Sequence, residues 1–113
     1  MSHQPPFSSN DDPEEHRIID PDTLSEAALI LRALNHDLRQ QILELLCNNE
    51  ELTVTDIFIA LRVEQSVASQ HLAVLRKANL VLRQRQGKYI HYRINQNRLV
   101  NINKLVKELA FHC

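Results

Sequence analysis

A polar run opens one of the helices that the sequence predicts. In "QSVASQHLAVLRKANLV", residues 65–81, the first turns carry hydrogen-bonding side chains: Gln65, Ser66, Ser69, Gln70 and His71. Base edges in the major groove of DNA differ in their donors and acceptors, and an α-helix fits into that groove. A glutamine amide pairs with adenine, a serine hydroxyl serves bases or phosphates, and an imidazole donates or accepts according to its tautomer. These residue types suit a helix that reads duplex DNA, although a merely solvated helix face has a similar pattern.

Positive charge is concentrated around this helix. Residues 62–98 contain 8 Lys and Arg residues and one acidic residue, whereas residues 1–61 contain 3 and 12, and the net charge of the chain is −1. Such sorting is expected when one face of a protein meets a polyanion. Basic side chains that neutralise phosphates release counterions and give sequence-independent affinity. The predicted contacts to the DNA backbone or minor groove are Arg76, Arg83, Arg85 and Lys88.

A helix-turn-helix is predicted to position the polar run. Thr53 and Asp56 have the spacing of a capping box, which begins a short helix in "VTDIFIAL". Residues 62–64 form a tight turn, and the polar run then begins a second helix. Two short helices joined by such a turn form the helix-turn-helix motif.

The second helix of the pair is followed by a predicted β-hairpin. This helix is expected to bury Val67, Leu72 and Leu75, and to end near Asn79, because asparagine tolerates the left-handed conformation after a helix. Beyond it the apolar period falls to two on both sides of residues 86–88, as in a hairpin. The basic side chains at positions 83, 85 and 88 then lie near its tip.

Further helices are predicted at both ends of the chain. Asp20 and Pro21 indicate the start of a first helix, and Asn35 is expected to end it and to cap a second helix in residues 36–47. A last helix is indicated by the apolar stripe Leu99, Ile102, Leu105, Val106 and Leu109. The expected fold is mainly α with a small β-hairpin, a winged helix-turn-helix in the order α-α-α-α-β-β-α.

Composition limits the other possibilities. Residues 1–19 are predicted to be a disordered acidic tail, and residues 20–113 a single DNA-binding and dimerisation domain. The single glycine, Gly87, argues against a glycine-rich phosphate loop. No apolar run approaches the ~20 residues that span a bilayer, and no signal pattern is present, so a cytoplasmic protein without a membrane partner is expected.

Four segments are similar to successive blocks of the ArsR/SmtB-type bacterial repressors: "LNHDLRQQILELL", "ELTVTDIFIAL", "QSVASQHLAVLRKANLV" and "GKYIHYRI". The resemblance runs from about Leu24 to Leu109 and is most specific in the S-x-x-S-Q-H-L-x-x-L run. It implies a homodimer built on the first and last helices, operator binding released by an inducer, and recognition by the positions of Ser66, Ser69, Gln70 and His71. The chain departs from the family pattern at Asp37, Glu64 and Asn79, where proline, a capping serine and glycine are usual.

The last helix gives a separate argument for the dimer. Its five apolar residues would leave an exposed patch larger than monomers usually carry. Pairing two copies would place the recognition helices on successive turns of duplex, roughly 34 Å apart. The expected DNA target is therefore an imperfect inverted repeat.

The resemblance also points to metal sites whose ligands this chain lacks. A Cys-x-Cys pair beside the first helix of the motif is replaced by Thr53 and Thr55. The family's site on the last helix falls on Gln96, Arg98, Leu109 and His112. Only the histidine among these binds metal, and zinc needs about four ligands. We therefore expect no metal at these sites and no cofactor.

Two cysteines remain as candidate sensing residues, Cys47 late in the second helix and Cys113 at the end of the chain. Their placement is similar to that in family members that sense persulfides or oxidants, although each is shifted by a few residues. A disulfide would constrain helices that set the spacing of the recognition helices. The alternatives are a metal site formed by Cys47, Cys113 and His112, an unidentified inducer, and no inducer at all. Neither cysteine then senses anything: Cys47 is a small buried hydrophobic residue and Cys113 a frayed terminal one.

Two other classes of function fit the sequence less well. Winged helices also serve as protein- or RNA-interaction modules without operator binding, but such surfaces more often carry exposed apolar residues where this chain carries positive charge. An enzyme is not indicated, because the histidines are scattered and no nucleophile is paired with a base.

Overall fold

The computed structural model describes residues 18–111. Its elements are α1 (Pro21–Leu34), α2 (Asp37–Cys47), β1 (Leu52–Thr53), α3 (Val54–Leu61), α4 (Gln65–Lys77), β2 (Val81–Gln86), β3 (Tyr89–Ile94) and α5 (Gln96–Phe111). The predicted winged helix-turn-helix is confirmed: α3 and α4 form the motif, and β2 and β3 form the wing. The predicted tail lies almost wholly outside the described residues, so the domain boundary at residue 20 stays a prediction.

The sequence prediction missed one strand, β1. Leu52 and Thr53 pair antiparallel with Tyr92 and His91 of β3, which gives a sheet in the order β1-β3-β2. The elements therefore follow the order α-α-β-α-α-β-β-α. Because Thr53 ends β1 and also caps α3, this pairing ties the start of the helix-turn-helix to the wing.

Several helix ends follow the local signals in the sequence. Asp20 caps α1 by accepting from the amide of Thr23, with Pro21 in the first turn. Thr53 Oγ1 accepts from the Asp56 amide at 3.1 Å, and an Asp56 carboxylate oxygen accepts from the Thr53 amide at 3.0 Å, so the capping box is confirmed. The two hydrogen bonds from Thr53, first from its amide and then from its side chain, lower the pKa of Asp56.

The prediction that Asn35 caps α2 is wrong. The amide of Asn35 donates to the Leu31 carbonyl, so this residue ends α1 and does not begin the next helix. Nδ1 of His36 accepts from the Leu38 amide at 3.1 Å and caps α2 instead. At the start of α4, Glu64 makes no side-chain capping bond.

The core lies between α2, the helix-turn-helix and the base of the wing. The largest fully buried side chains are Ile42, Leu46, Ile57, Leu72, Leu75, Leu80 and Val81. On α4 the prediction was right for Leu72 and Leu75, but Val67 is only half-buried and Ala68 is fully buried in its place. Positions 68, 72 and 75 follow the helical period, so α4 packs on the core through a face that begins with a small side chain.

Tight backbone turns join the elements around α4. Arg62, after α3, and Asn79, after α4, both take left-handed φ values, of 58° and 61°. The position of Asn79 was predicted, and that of Arg62 was not. The wing strands close with Gln86 opposite Tyr89 across a two-residue turn in which Gly87 has a φ of 65°. None of the helices within residues 18–111 combines the length and the hydrophobicity that a membrane span requires.

Candidate nucleic-acid interface

The exposed side of α4 carries two rows of polar side chains. Residues four apart lie on the same face of a helix, so Gln65 and Ser69 form one row, and Ser66 and Gln70 form the other. All four side chains are exposed. Because the opposite face of α4 is buried in the core, the helix is held with its polar first turns toward solvent.

The wing lies beside the first of these rows. Gln65, Ser69 and Arg76 of α4 line one open groove together with Arg83 of β2. The predicted recognition helix and the predicted basic hairpin thus meet on a common side of the molecule. We call this groove and the exposed rows of α4 the basic face.

Strand alternation places a second wing arginine on the same side. Successive side chains of a strand point to opposite faces of the sheet, so Arg85 lies on the same face of β2 as Arg83. Arg83 is opposite Tyr92 in β3, and Arg85 is opposite Ile90. At the tip, the Lys88 ammonium lies 5.6 Å from the centre of the Tyr89 ring.

The cations of the basic face have no acidic partners in the part of the chain that the structure describes. The one salt bridge among residues 18–111 joins His91 Nδ1 to a Glu51 carboxylate oxygen at 2.9 Å, and it lies on the other face of the wing sheet. Arg76, Arg83 and Arg85 are exposed and make no salt bridge within residues 18–111. Their positive charge is therefore available to an external anion.

His71 is placed differently from the other polar residues at the start of α4. It is half-buried, its ring centre lies 4.5 Å from that of His36, and its Nδ1 lies 3.2 Å from Nη1 of Arg39. Burial, and then the charges of His36 and Arg39, lower the pKa of His71. The structure therefore separates His71 from the four exposed side chains with which the sequence grouped it.

Two residues that contact the groove or α4 were not identified from the sequence. Lys77, at the end of α4, lines the groove of the basic face beside Arg76. It follows Ala73, which also lines this groove, by four residues within the basic segment, so the helical period could have identified it. Arg39 contacts α4 from α2, and no local pattern connects it with a position 32 residues away.

The proposed sensing residues are only partly described. Cys47 is exposed rather than a small buried hydrophobic residue, and it is a free thiol. Cys113 and His112 lie outside the described residues, so a pairing of the two cysteines stays a prediction. Within residues 18–111 no three His, Cys, Asp or Glu side chains come together as a possible metal site.

Apolar side chains are exposed on the first and last helices. On α1, Leu24 and Leu29 are more than half exposed, and α5 has no buried residue between Gln96 and Phe111. The predicted stripe of α5 is divided: Leu99 and Ile102 pack against the core of the protomer, whereas Leu105, Val106 and Leu109 are exposed. Apolar side chains are thus left uncovered on both of these helices.

Comparison with known proteins gives these features a family context. A family model described as "Bacterial regulatory protein, arsR family" matches residues 36–82, from the start of α2 into the wing. The transcriptional repressor PagR of Bacillus anthracis is 34% identical over 87 residues, which are 77% of this chain and 87% of PagR. The arsenical resistance operon repressor of Escherichia coli K12 is 36% identical over 84 residues, 74% of this chain and 71% of that protein.

Solved structures agree with these relatives. The crystal structure of PagR superposes with a TM-score of 0.62 at 35% identity, covering 75% of this chain and 97% of that one. A solution structure from Mycobacterium bovis has a TM-score of 0.70 at 27% identity and covers 90% and 89% of the two chains. It is described as a homodimeric winged helix-turn-helix DNA-binding domain of a possible ArsR-family regulator.

Proposed function

The chain belongs to the ArsR family of bacterial regulatory proteins, and on this premise we propose that it is a homodimeric repressor that binds an inverted-repeat operator and is released by an inducer. As a member it is a DNA-binding transcriptional regulator and not an enzyme. The observation that carries the proposal is the basic face, where Gln65 and Ser69 of α4 line one groove together with Arg83 of the wing.

The exposed rows of α4 are proposed to read the operator. The first turns of a recognition helix approach base edges in the major groove, so Gln65, Ser66, Ser69 and Gln70 would supply the sequence-specific contacts. A glutamine amide can pair with the donor and acceptor of adenine, and a serine hydroxyl can contact either donors or acceptors on the bases. Substitution of these side chains is expected to reduce sequence preference more than total affinity, because phosphate contacts carry no sequence information.

The cations of the basic face are proposed to bind phosphates on either side of the recognition helix. Arg76 lies at the end of α4, whereas Arg83 and Arg85 extend the positive surface along the wing. Lys88 at the tip would reach the adjacent backbone or minor groove. These contacts would give affinity for any duplex and a strong dependence on salt concentration.

The exposed apolar surface of α1 and α5 is proposed to pair with the same surface of a second copy. A two-fold interface uses the same patch on both protomers, and we propose that the exposed Leu24, Leu29, Leu105 and Val106 contribute apolar side chains to it. The Mycobacterium bovis domain, which is described as homodimeric, supports the proposal of a homodimer. Two recognition helices related by a two-fold axis would require an inverted repeat in the DNA.

The inducer is proposed to be an oxidant that links Cys47 to Cys113. A peroxide would oxidise the two thiols to a disulfide and would itself be reduced to water, accepting the two electrons and both thiol protons. The bond requires Cα atoms within about 7 Å of each other. Exposure of Cys47 at the end of α2 supports its access to an oxidant. Loss of oxidant sensitivity in the Cys47→Ser variant is the expected result, and unchanged sensitivity would exclude this mechanism.

Selection of bound duplexes from a random pool tests the central proposal. The full chain, kept reduced, is expected to enrich two similar half-sites in inverted orientation, with centres roughly 10 base pairs apart. Repeating the selection with a peroxide and with a panel of divalent metals separates a thiol inducer from a non-standard metal site. The Ser69→Ala, Gln70→Ala double variant should bind duplex with little sequence preference. Equal binding of duplex RNA, or no enriched sequence, would instead favour an interaction module without an operator.

A further inference from the structure

One arginine connects the end of α1 with the recognition helix. Arg39, in the first turn of α2, donates from Nε to the Ala33 carbonyl at 2.7 Å and from Nη2 to the Arg32 carbonyl at 3.1 Å. Its third nitrogen, Nη1, lies 3.2 Å from Nδ1 of His71 in α4. The planar guanidinium holds its donors in a fixed fork, so these three bonds fix α1 and α4 relative to each other.

The two carbonyls that Arg39 binds belong to the unsatisfied end of a helix. The last four carbonyls of an α-helix lack partners within the helix, and a positive charge at that end is favourable. In α1 the Leu31 carbonyl is satisfied by the Asn35 amide, and that of Leu34 by the Gln40 side chain. Arg39 donates hydrogen bonds to the remaining two carbonyls, those of Arg32 and Ala33. Its position is therefore set by α1, and the contact with α4 depends on where α1 ends.

The chemistry of the pair determines the protonation state of His71. A guanidinium has only donors, so Nδ1 of His71 must accept, and the single proton of the neutral ring lies on Nε2. A proton on Nδ1 would remove the acceptor and place a second positive charge against Arg39, with the ring centre of His36 only 4.5 Å from that of His71. Among residues 18–111, no carboxylate forms a salt bridge with His71 that would compensate.

We propose that His71 is a positioning residue for DNA binding: its neutral imidazole accepts from Arg39 and so holds the recognition helix against α2 and the end of α1. This inference rests on the proposed function and changes the role of one predicted contact residue. The helix face on which His71 lies turns toward α2, whereas Gln70, its neighbour in sequence, faces solvent. Protonation of His71 would release α4 from Arg39 and lower DNA affinity.

The pH dependence that follows has a diagnostic sign. Acidification adds positive charge to a protein, which by itself strengthens binding to DNA. Because the pKa of His71 is lowered, its ring takes up a proton at a lower pH than an ordinary histidine does. This protonation would break the hydrogen bond with Arg39. The charged and titratable groups that face the ring are His36 and Arg39, and both oppose protonation. A fall in affinity as pH decreases below about 6.5 is therefore expected from release of α4.

The test uses the full reduced protein and an operator-length duplex. Asparagine places an amide oxygen where Nδ1 of the imidazole lies, and it does not titrate. We expect the His71→Asn variant to bind like the wild type near neutral pH and to lose the acid-induced fall in affinity. We expect His71→Ala to bind about tenfold more weakly, the loss of one hydrogen bond to a charged group. His91→Asn is the matched control, since His91 lies on the other face of the wing, and it should keep the wild-type pH profile.

A double-mutant cycle separates positioning from direct contact with DNA. If His71 acts through Arg39, the effects of Arg39→Met and His71→Ala on affinity will not add, because each removes the same bond. Additive effects, or a pH profile unchanged in His71→Asn, would overturn the proposal. Circular dichroism of each variant at each pH serves as the control that the fold is intact. Failure of the wild type to prefer any duplex would refute the proposed function instead, so the two failures are distinguishable.

Discussion

The groove between α4 and the wing leads to a quantitative prediction of how DNA affinity depends on salt concentration. Arg83 lies on the basic face, makes no salt bridge within residues 18–111 and is opposite Tyr92 in the sheet. If it neutralises one phosphate, its loss changes the slope of log affinity against log salt concentration by about 0.9 per bound protomer. The substitution Arg83→Gln removes the charge and keeps a polar side chain of similar length. Its effect on the slope therefore counts phosphate contacts.

The size of the change also reports how many protomers bind. A homodimer on its operator loses two contacts, so the slope falls in magnitude by about 1.8, and a fourfold rise in salt changes the ratio of wild-type to variant affinity by about 12-fold. A single bound protomer would give a slope change of about 0.9 and a ratio change of about 3.5-fold. Fluorescence anisotropy of a labelled duplex, titrated between about 50 and 200 mM salt, resolves these two outcomes.

The same hairpin offers a matched control. Arg93 follows Tyr92 in β3, so strand alternation puts it on the opposite face of the sheet. It is exposed and lines the groove near Cys47 rather than the basic face. Arg93→Gln removes the same charge from the same wing and should leave the slope unchanged. Equal slope changes in the two variants would show that only net charge matters, and the assignment of the basic face would then be wrong.

Three further predictions concern stability and assembly. Because Asn79 has a left-handed φ, Asn79→Ala should lower the free energy of unfolding by about 1 kcal/mol in urea denaturation, whereas Asn79→Gly should not lower it. Thr53→Ala should lower the free energy of unfolding by about 1 kcal/mol through loss of the cap. Because the pKa of Asp56 is lowered, this carboxylate stabilises the fold above its ordinary pKa of 3.8, and the stabilisation is lost as pH falls through the folded pKa. An acid titration of the variant should show less of this loss. Leu105→Glu should convert the proposed dimer to a monomer in sedimentation, whereas Asn101→Glu, at another exposed position of α5, should not. A wild-type monomer at micromolar concentration would contradict the interface.

Features determined by neighbouring residues could be predicted from the sequence. The capping box at Thr53 and the left-handed turn at Asn79 each depend on residue type over one helical turn, and both are confirmed. Strand β1 could not be predicted, because two residues show no periodicity and form a strand only by pairing with Tyr92 and His91, about 40 positions away. The contact between Arg39 and His71 is hidden for the same reason, since it depends on how α2 and α4 pack.

The apolar stripe of α5 is a feature whose burial the sequence pattern predicts only in part. A stripe with the helical period predicts burial but does not say whether the covering surface belongs to the same chain or to another. The structure divides it: Leu99 and Ile102 pack on the protomer's own core, whereas Leu105 is 63% exposed and Leu109 70%. Only the second half of the stripe, with the exposed leucines of α1, is therefore left for the proposed interface with a second copy. The proposed dimer surface is therefore smaller than the sequence suggests, and its part on α5 lies toward the end of that helix.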